Sequence, residues 1–308
     1  MAIPVVVLHG RHPGPTAWLS AAIHGDEVGG VEIIRRVLAA VDAGSLAGTL
    51  LAVPVVNVPG FAGGSRYLPD RRDLNRSFPG SVRGPLASRL AHILMTEIVG
   101  RCSLGIDLHT GSDHRANLPQ VRGDLDEART RELAVAFGPP AALHARLRDG
   151  SLREAAARAG ATALVYEGGE AWRFDPRAVE VGVAGILRVM AHVGMLDARP
   201  DDLAPRQETV MLRASRWLRS PMSGMVRMEV ALGERVVPGQ RLAVVADANG
   251  TTQRTIRARR PGMVIGRSEK AVAYRGDALV HLGDLGDLGD LGDLGSRGPG
   301  AGSVPWPG

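Results

Sequence analysis

A histidine and a glutamate three residues apart, in Ile23-His24-Gly25-Asp26-Glu27, put an imidazole and a carboxylate on one short segment. Both are metal-ligand types, and a catalytic zinc site takes three such protein ligands and leaves a further position open for water. A third donor of the same kind follows 82 residues later, at His109 in Ile106-Asp107-Leu108-His109-Thr110-Gly111. A short spacer on one loop and a long one to the next ligand is the pattern expected where the ends of separate strands converge on one ion. Taken alone, the pair is also compatible with an ordinary hydrogen-bonded loop histidine, since His-x-x-Glu arises by chance in many chains. Gly25, Gly29 and Gly30 surround it with residues that tolerate unusual backbone angles and let a substrate approach closely. Asp107, two residues before His109, is suited to orient an imidazole, although strand alternation leaves a salt bridge elsewhere equally open.

The elements that would position these groups follow from hydrophobic patterning. Ile3 to Leu8 and Ala17 to Ile23 are apolar runs that read as strands, the second leading straight into His24. Val31, Ile33, Ile34, Val37, Leu38 and Val41 keep near-helical spacing with Glu32, Arg35 and Arg36 outside, and Gly44 follows as a stop signal. Thr49 to Val56 is a third strand, Leu86 to Val99 an amphipathic helix, and Leu104 to Leu108 the strand that delivers His109. His92, inside that helical pattern, reads as a packing or surface residue. Ser151-Leu-Arg-Glu154 is a capping-box pattern that opens a helix ending near Gly160. The strand Ala163 to Tyr166 then leads to Glu167, and Asp175-Pro176 starts a long helix reaching about Val193.

Two further stretches carry candidate chemistry. From Asn57 to Gly80 the chain runs without periodicity through Arg66, Arg71, Arg72, Asp73, Asn75 and Arg76, longer than a connector in a compact domain needs. Its arginines are either solvated surface groups or, beside a metal, a fork that with the Asn75 amide holds a substrate carboxylate at a fixed distance. Glu167, followed by Gly168 and Gly169, is either an ordinary strand-terminal acid or a general base whose glycine neighbours keep water within reach. His114, Arg115 and Asn117, after His109, are candidates to shape a pocket or simply to build a loop.

In this order, His24-Gly-Asp-Glu27, Asp73-Leu-Asn75-Arg76, Asp107-Leu-His109-Thr-Gly and Tyr166-Glu167-Gly-Gly resemble the motifs of the succinylglutamate desuccinylase and aspartoacylase family, relatives of the zinc carboxypeptidases. The resemblance spans roughly residues 16 to 195. It implies an α/β catalytic domain over residues 1–196 built on a mixed, zinc-carboxypeptidase-like sheet. It also implies one zinc ion per chain on His24, Glu27 and His109, with Glu167 as general base and Asn75 with Arg76 on the substrate carboxylate. Arg66 matches the oxyanion arginine, with Arg71 or Arg72 as alternatives because this chain has extra residues before Asp73. The implied activity is amide hydrolysis that removes an acyl group from an N-acylated amino acid or a related small amine. A carboxypeptidase acting on short peptides, or a non-catalytic zinc-binding protein, would use the same ligands. The family's arginine that reads an acidic substrate has no clear match, Arg153 and Arg158 being the candidates, and deacetylation of an N-acetylated diamino acid fits equally well.

Composition narrows the remaining classes. An apolar share of 44% with 22% charged residues suits a globular chain with one large and one small core. No apolar run approaches the ~20 residues of a membrane helix, and the start lacks the pattern of a signal peptide, so neither a membrane partner nor export is expected and a cytoplasmic location is. The net charge of +5 is carried almost wholly by arginine interleaved with acids, Lys270 being the one lysine, which argues against nucleic acid as a partner. Cys102 is the one cysteine, so no disulfide forms within the chain, and it reads as a buried apolar filler. Residues 197–208 read as a linker, and residues 209–283 as short strands and turns resembling the barrel-sandwich of biotinyl and lipoyl domains. Ser220-Pro-Met-Ser-Gly-Met-Val has no lysine where such carriers are modified. This small all-β domain is therefore expected as a cap over the pocket or a surface for homo-oligomerisation. From residue 284 to 308 the Gly-Asp-Leu repeat and its Gly/Pro continuation offer too little apolar surface to order, so a disordered tail is expected.

Overall fold

The computed structural model describes residues 2–197 and 208–285. The expected linker, apart from its two end residues, and the expected disordered tail from residue 286 on lie outside the described residues.

In chain order the first part contains β1 (Val6–His9), β2 (His12–Ala21), α1 (Gly29–Ala40), β3 (Ala47–Val53), α2 (Val58–Gly63) and α3 (Leu86–Glu97). It continues with β4 (Leu104–Gly111), β5 (Arg115–Gly123), α4 (Ala128–Phe137), β6 (Ala141–His144), α5 (Leu152–Arg158), β7 (Thr162–Glu170) and α6 (Pro176–His192). From residue 210 on come β8 (Val210–Leu212), β9 (Ser215–Arg219), β10 (Gly224–Met228), β11 (Arg235–Val236), β12 (Arg241–Ala246), β13 (Gln253–Arg257), β14 (Gly262–Ser268), β15 (Val272–Ala273) and β16 (Ala278–Asp284).

These elements make a mixed α/β fold around one large sheet, ordered β1-β3-β2-β4-β7-β5-β14-β16-β9. β2 runs parallel to β3 and β4, and β4 parallel to β7, whereas β5 is antiparallel to β7. Strand alternation divides the core. Ala17, Leu19 and Ala21 of β2 face a cluster with Ile33, Ile34 and Val37 of α1 and Val179, Ile186 and Val189 of α6. Trp18 points the other way, into a cluster with Leu90 and Leu94 of α3 and Leu152 and Ala155 of α5. On α1 the outward Glu32 pairs with Arg35 and Arg36 at 2.7 and 2.8 Å, so the helix presents only its apolar stripe to the sheet. Gly30 lets α1 lie flush on the site-bearing strands: a Cβ there would stand 2.7 Å from Leu108 Cβ and 2.8 Å from Ala21 Cβ.

Helix starts follow the local sequence. The Ser151 hydroxyl accepts from Glu154 N at 3.2 Å to open α5, and Asp175 accepts from Ala178 N at 3.1 Å, with Pro176 in the first turn of α6. Residues 124–150, for which periodicity gives no expectation, fold as α4 and β6. α4 has only a weak apolar stripe among Arg129, Arg131 and Glu132, and β6 is four residues long.

Strand ends differ from the sequence reading where pairing outweighs local composition. β7 does not stop at Tyr166 but continues through Gly168 and Gly169, because Gly169 pairs with Asn117 across β5. β16 runs to Asp284, which pairs with Gly262, and Leu285 packs near Leu212, so order extends into the beginning of the Gly-Asp-Leu repeat. Of the strands from residue 210 on, β8, β9, β11, β14 and β16 join the large sheet, since β14 pairs with β5 through Gly266 and Asn117, and β8 pairs with β6. A second, four-stranded sheet, β13-β12-β10-β15, encloses its own core with Leu242, Val245 and Ile256. Among the described residues no helix is long and apolar enough to cross a membrane.

Candidate metal centre and its pocket

The site lies just beyond the end of β2, where the parallel strands β4 and β7 run on past it and carry His109 and Glu167. β2 leaves the sheet through Ala22, whose left-handed backbone (φ 49°) costs a residue with a Cβ roughly 1–2 kcal/mol. Val56 N and Asn57 N donate to the carbonyls of Ala21 and Ala22 at 3.0 and 2.9 Å and hold this exit. The next turn passes so close to α2 that a Cβ on Gly25 would stand 2.0 Å from the Gly60 carbonyl carbon. His24 and Glu27 are thereby brought over the end of β4, which carries His109.

All three side chains are buried, at 4%, 2% and 5% exposure for His24, Glu27 and His109, and their donor atoms lie within 4.8 Å of one another. Glu27 stands between the imidazoles, Oε1 at 2.8 Å from His24 Nδ1 and Oε2 at 2.9 Å from His109 Nδ1. The far nitrogens are held too: His24 Nε2 lies 3.1 Å from Asp73 Oδ1, and His109 Nε2 lies 2.7 Å from Asp107 Oδ2. The Ser20 hydroxyl donates to the other Asp107 oxygen at 2.7 Å. Asp73 and Asp107 hold the two Nε2–H groups from behind, so that on giving up its Nδ1 proton each ring would present an Nδ1 lone pair to a cation beside Glu27.

Until a cation takes their place, the imidazoles themselves carry the positive charge that faces these carboxylates. Burial by itself would lower both histidine pKa values, yet the carboxylates around them win: Glu27 and Asp73 raise that of His24, and Asp107 and Glu27 hold that of His109 well above the ordinary imidazole range. Burial pushes the Glu27 carboxyl up, and the two imidazoles overcome this and hold it well below the usual carboxylate range. A buried cluster of two imidazole nitrogens and a carboxylate, each imidazole backed by an acid, suits a divalent cation of zinc's type that displaces the Nδ1 protons.

Arg66 bridges this centre to the long loop. Its guanidinium donates to Glu27 at 3.2 Å, to Ser112 Oγ at 3.1 Å and to Asp73 Oδ2 at 3.1 Å. Arg71 and Arg72, the alternatives for its place, are exposed and do not line the pocket. Asn75 and Arg76 do line it, on a single helical turn whose start is capped by Asp73. Asn75 Oδ1 accepts from Leu152 N at 2.9 Å, which fixes the orientation of the amide. Glu167 sits in mid-strand rather than at a strand end, opposite His109 in the β4–β7 pairing, and accepts from Asn117 Nδ2 at 2.8 Å with Arg122 at 3.3 Å.

The pocket over these groups is a cavity of about 350 Å³. Arg115, Asn117 and Arg153 line it, whereas His114, His92 and Arg158 do not. Arg153 spends its fork on the carbonyls of Ala145 and Arg146 at 2.7 Å each, and the exposed Arg158 pairs with the buried Glu154. Cys102 lies away from the site, half-buried, its thiol pushed up to about 12 by burial. Sequence reasoning gave no role to Asp73, Ser20, Arg122, Arg148 or Trp217. Only Asp73 carried a signal, its place within the Asp-Leu-Asn-Arg motif.

Comparison with known proteins identifies what the chain as a whole resembles. Residues 13–193 match the family model described as the succinylglutamate desuccinylase/aspartoacylase catalytic domain. The chain is 30% identical over 295 residues to an N-alpha-acetyl-L-2,4-diaminobutyric acid deacetylase of Halomonas elongata, covering 92% of this chain and 85% of that protein. Among solved structures, a succinylglutamate desuccinylase/aspartoacylase from Rhodobacter sphaeroides superposes with a TM-score of 0.82 at 27% identity, covering 92% of this chain and 88% of its own. A product-bound ectoine utilization protein from Ruegeria pomeroyi superposes at 0.81 and 29% identity, over 92% of this chain and 89% of its own.

Proposed function

The chain belongs to the succinylglutamate desuccinylase/aspartoacylase family, and from that premise we propose that it is a zinc-dependent amidohydrolase that removes an acyl group from an N-acylated amino acid. The observation that carries the reading is the buried His24, Glu27 and His109 set, with Glu167 facing His109 across β4 and β7. The zinc-carboxypeptidase-like character of the catalytic sheet and the barrel-sandwich character of residues 209–283 belong to the same proposal.

His24, Glu27 and His109 would hold one zinc ion, which when bound supplies Lewis acidity and makes water a nucleophile at neutral pH. Glu167, fixed by Asn117 and Arg122, takes the proton of the attacking water and returns it to the leaving nitrogen. Arg66, anchored on Glu27, Ser112 and Asp73, faces the carbonyl oxygen on which charge develops. Asn75 and Arg76 hold the substrate carboxylate and so fix the scissile amide over the metal.

The pocket wall bears on the substrate class. Seven arginines line it, and four of them, Arg76, Arg146, Arg148 and Arg153, have no carboxylate within ion-pair distance among the described residues. Such a wall favours an anionic substrate and disfavours an amino acid with a side-chain ammonium, such as the diaminobutyrate in the name of the Halomonas relative. Glu167→Gln tests the assignment: the variant should keep one zinc per chain and lose kcat by about 10²–10⁴, and near-normal turnover would overturn it.

A further inference from the structure

One side of the pocket is built by the far end of the chain. Trp217, on β9, is the one lining side chain that residues 208–285 contribute. It stands directly opposite His281 in the β9–β16 pairing and stacks on that imidazole, with ring centroids 4.5 Å apart and planes 10° from parallel. The Arg115 guanidinium carbon lies 5.4 Å from the indole centre, a cation–π arrangement. His281 is itself buried, its Nε2 2.9 Å from Ser215 Oγ. Burial, aided by the charge of Arg122, pushes its pKa down to about 3, so a neutral ring backs the indole. The indole is thus a braced wall rather than a free surface side chain.

Which part of a substrate meets this wall follows from the other groups. The carboxylate clamp is built against α5 and the turn before it, since Asn75 Oδ1 accepts from Leu152 N and Phe78 N donates to Gly150 O at 3.0 Å, whereas Trp217 enters the pocket from β9. Arg66 is pinned to Ser112, at the head of the turn that leads to Arg115 on β5. A substrate with its carboxylate on Asn75 and Arg76 and its scissile carbonyl at Arg66 therefore directs its acyl chain past Arg66, toward Arg115 and Trp217. We infer that Trp217 is the specificity-determining residue for the acyl group, closing that side of the pocket and limiting the acyl length accepted. The inference rests on the deacylase reading and adds to it a residue contributed from beyond the catalytic strands.

The test is kcat/KM of the full-length, zinc-loaded protein for one amino acid carrying formyl, acetyl, butyryl or hexanoyl groups, in wild type, Trp217→Ala, Trp217→Leu and Trp217→Phe. Filling or emptying a hydrophobic pocket by a methylene or more discriminates by about 10-fold to 200-fold. The butyryl-to-acetyl ratio should accordingly rise about 10-fold or more in Trp217→Ala, mainly through KM, with a smaller rise in Trp217→Leu. Trp217→Phe, which keeps a ring on His281, should stay within about 3-fold of wild type. Preference among acetylated amino acids should not move, a separation that a merely structural role would not give. Should Trp217→Ala fail to fold, Trp217→Leu decides. An unchanged acyl ratio in a folded variant, or a shift in amino-acid preference instead, overturns the inference alone. A wild-type protein that cleaves none of the amides overturns the deacylase reading as well.

Discussion

Asp73 serves two functional groups with one carboxylate. Oδ1 accepts from Asn75 N at 2.9 Å and faces His24 Nε2 at 3.1 Å, while Oδ2 accepts from Arg66 at 3.1 Å. Burial raises its pKa and the His24 and Arg66 contacts more than reverse this, so the group stays ionised. Asp73→Asn keeps the shape but leaves one acceptor oxygen, and the new NH₂ must point at either the His24 N–H or the Arg66 guanidinium, donor against donor. If His24 loses its partner, the expected loss is that of a carboxylate behind a metal-ligating histidine, about 10-fold to 100-fold in zinc affinity, or roughly 1.4–2.8 kcal/mol. If Arg66 loses it, two of its three anchors remain, and kcat at saturating zinc should fall about 10-fold, less than for outright removal of an oxyanion donor. Chelator competition reads the first effect and steady-state kinetics at saturating zinc the second, with exposed Arg71→Ala as a control expected to change neither. Zinc affinity and kcat both within about twofold of wild type, in a folded Asp73→Asn protein, would refute the reasoning that this loop carboxylate couples the ligand to the arginine.

Two further outcomes follow from the geometry. Gly25→Ala would bring a Cβ to 2.0 Å from the Gly60 carbonyl carbon and 2.2 Å from Phe61 N, both backbone, and should cost about 1–3 kcal/mol in a denaturant titration together with zinc retention. His281 titrates at 6.5 when unfolded and is pushed down to about 3 in the fold, so between those values the unfolded chain binds the extra proton and stability falls as pH drops. By pH 5 this group alone should remove about 2 kcal/mol, and His281→Phe should lose that part of the acid sensitivity in parallel denaturation curves.

The family and the large mixed sheet were legible because the four motifs are ordered and three of them, at His24, His109 and Glu167, come on or just after apolar runs that become the parallel strands β2, β4 and β7. His24, Glu27 and His109 could be named as candidate ligands from residue type alone, and the sheet brings their donor atoms together because β2 and β4 are adjacent and parallel. The partners of those ligands were harder to read. Asp73 lies in a loop with several other charged residues, and only tertiary contact decides that it turns inward while Arg71 and Arg72 face solvent. Gly168 and Gly169 look like a strand terminator in local terms, yet pairing with β5 carries β7 through them and leaves Glu167 in mid-strand. Trp217 could not be connected to the pocket from sequence, because its place depends on β14 joining β5 and β9 following at the far side of β16.

The most direct test of the account is amine release from a panel of N-acetyl, N-succinyl and N-formyl amino acids and dipeptides, with zinc-loaded and metal-stripped protein measured side by side. The account predicts release from acylated amino acids, strongest for anionic ones, that is lost on stripping and restored by one zinc per chain. Hydrolysis that persists without metal, or no hydrolysis of any member with one zinc bound, would contradict it.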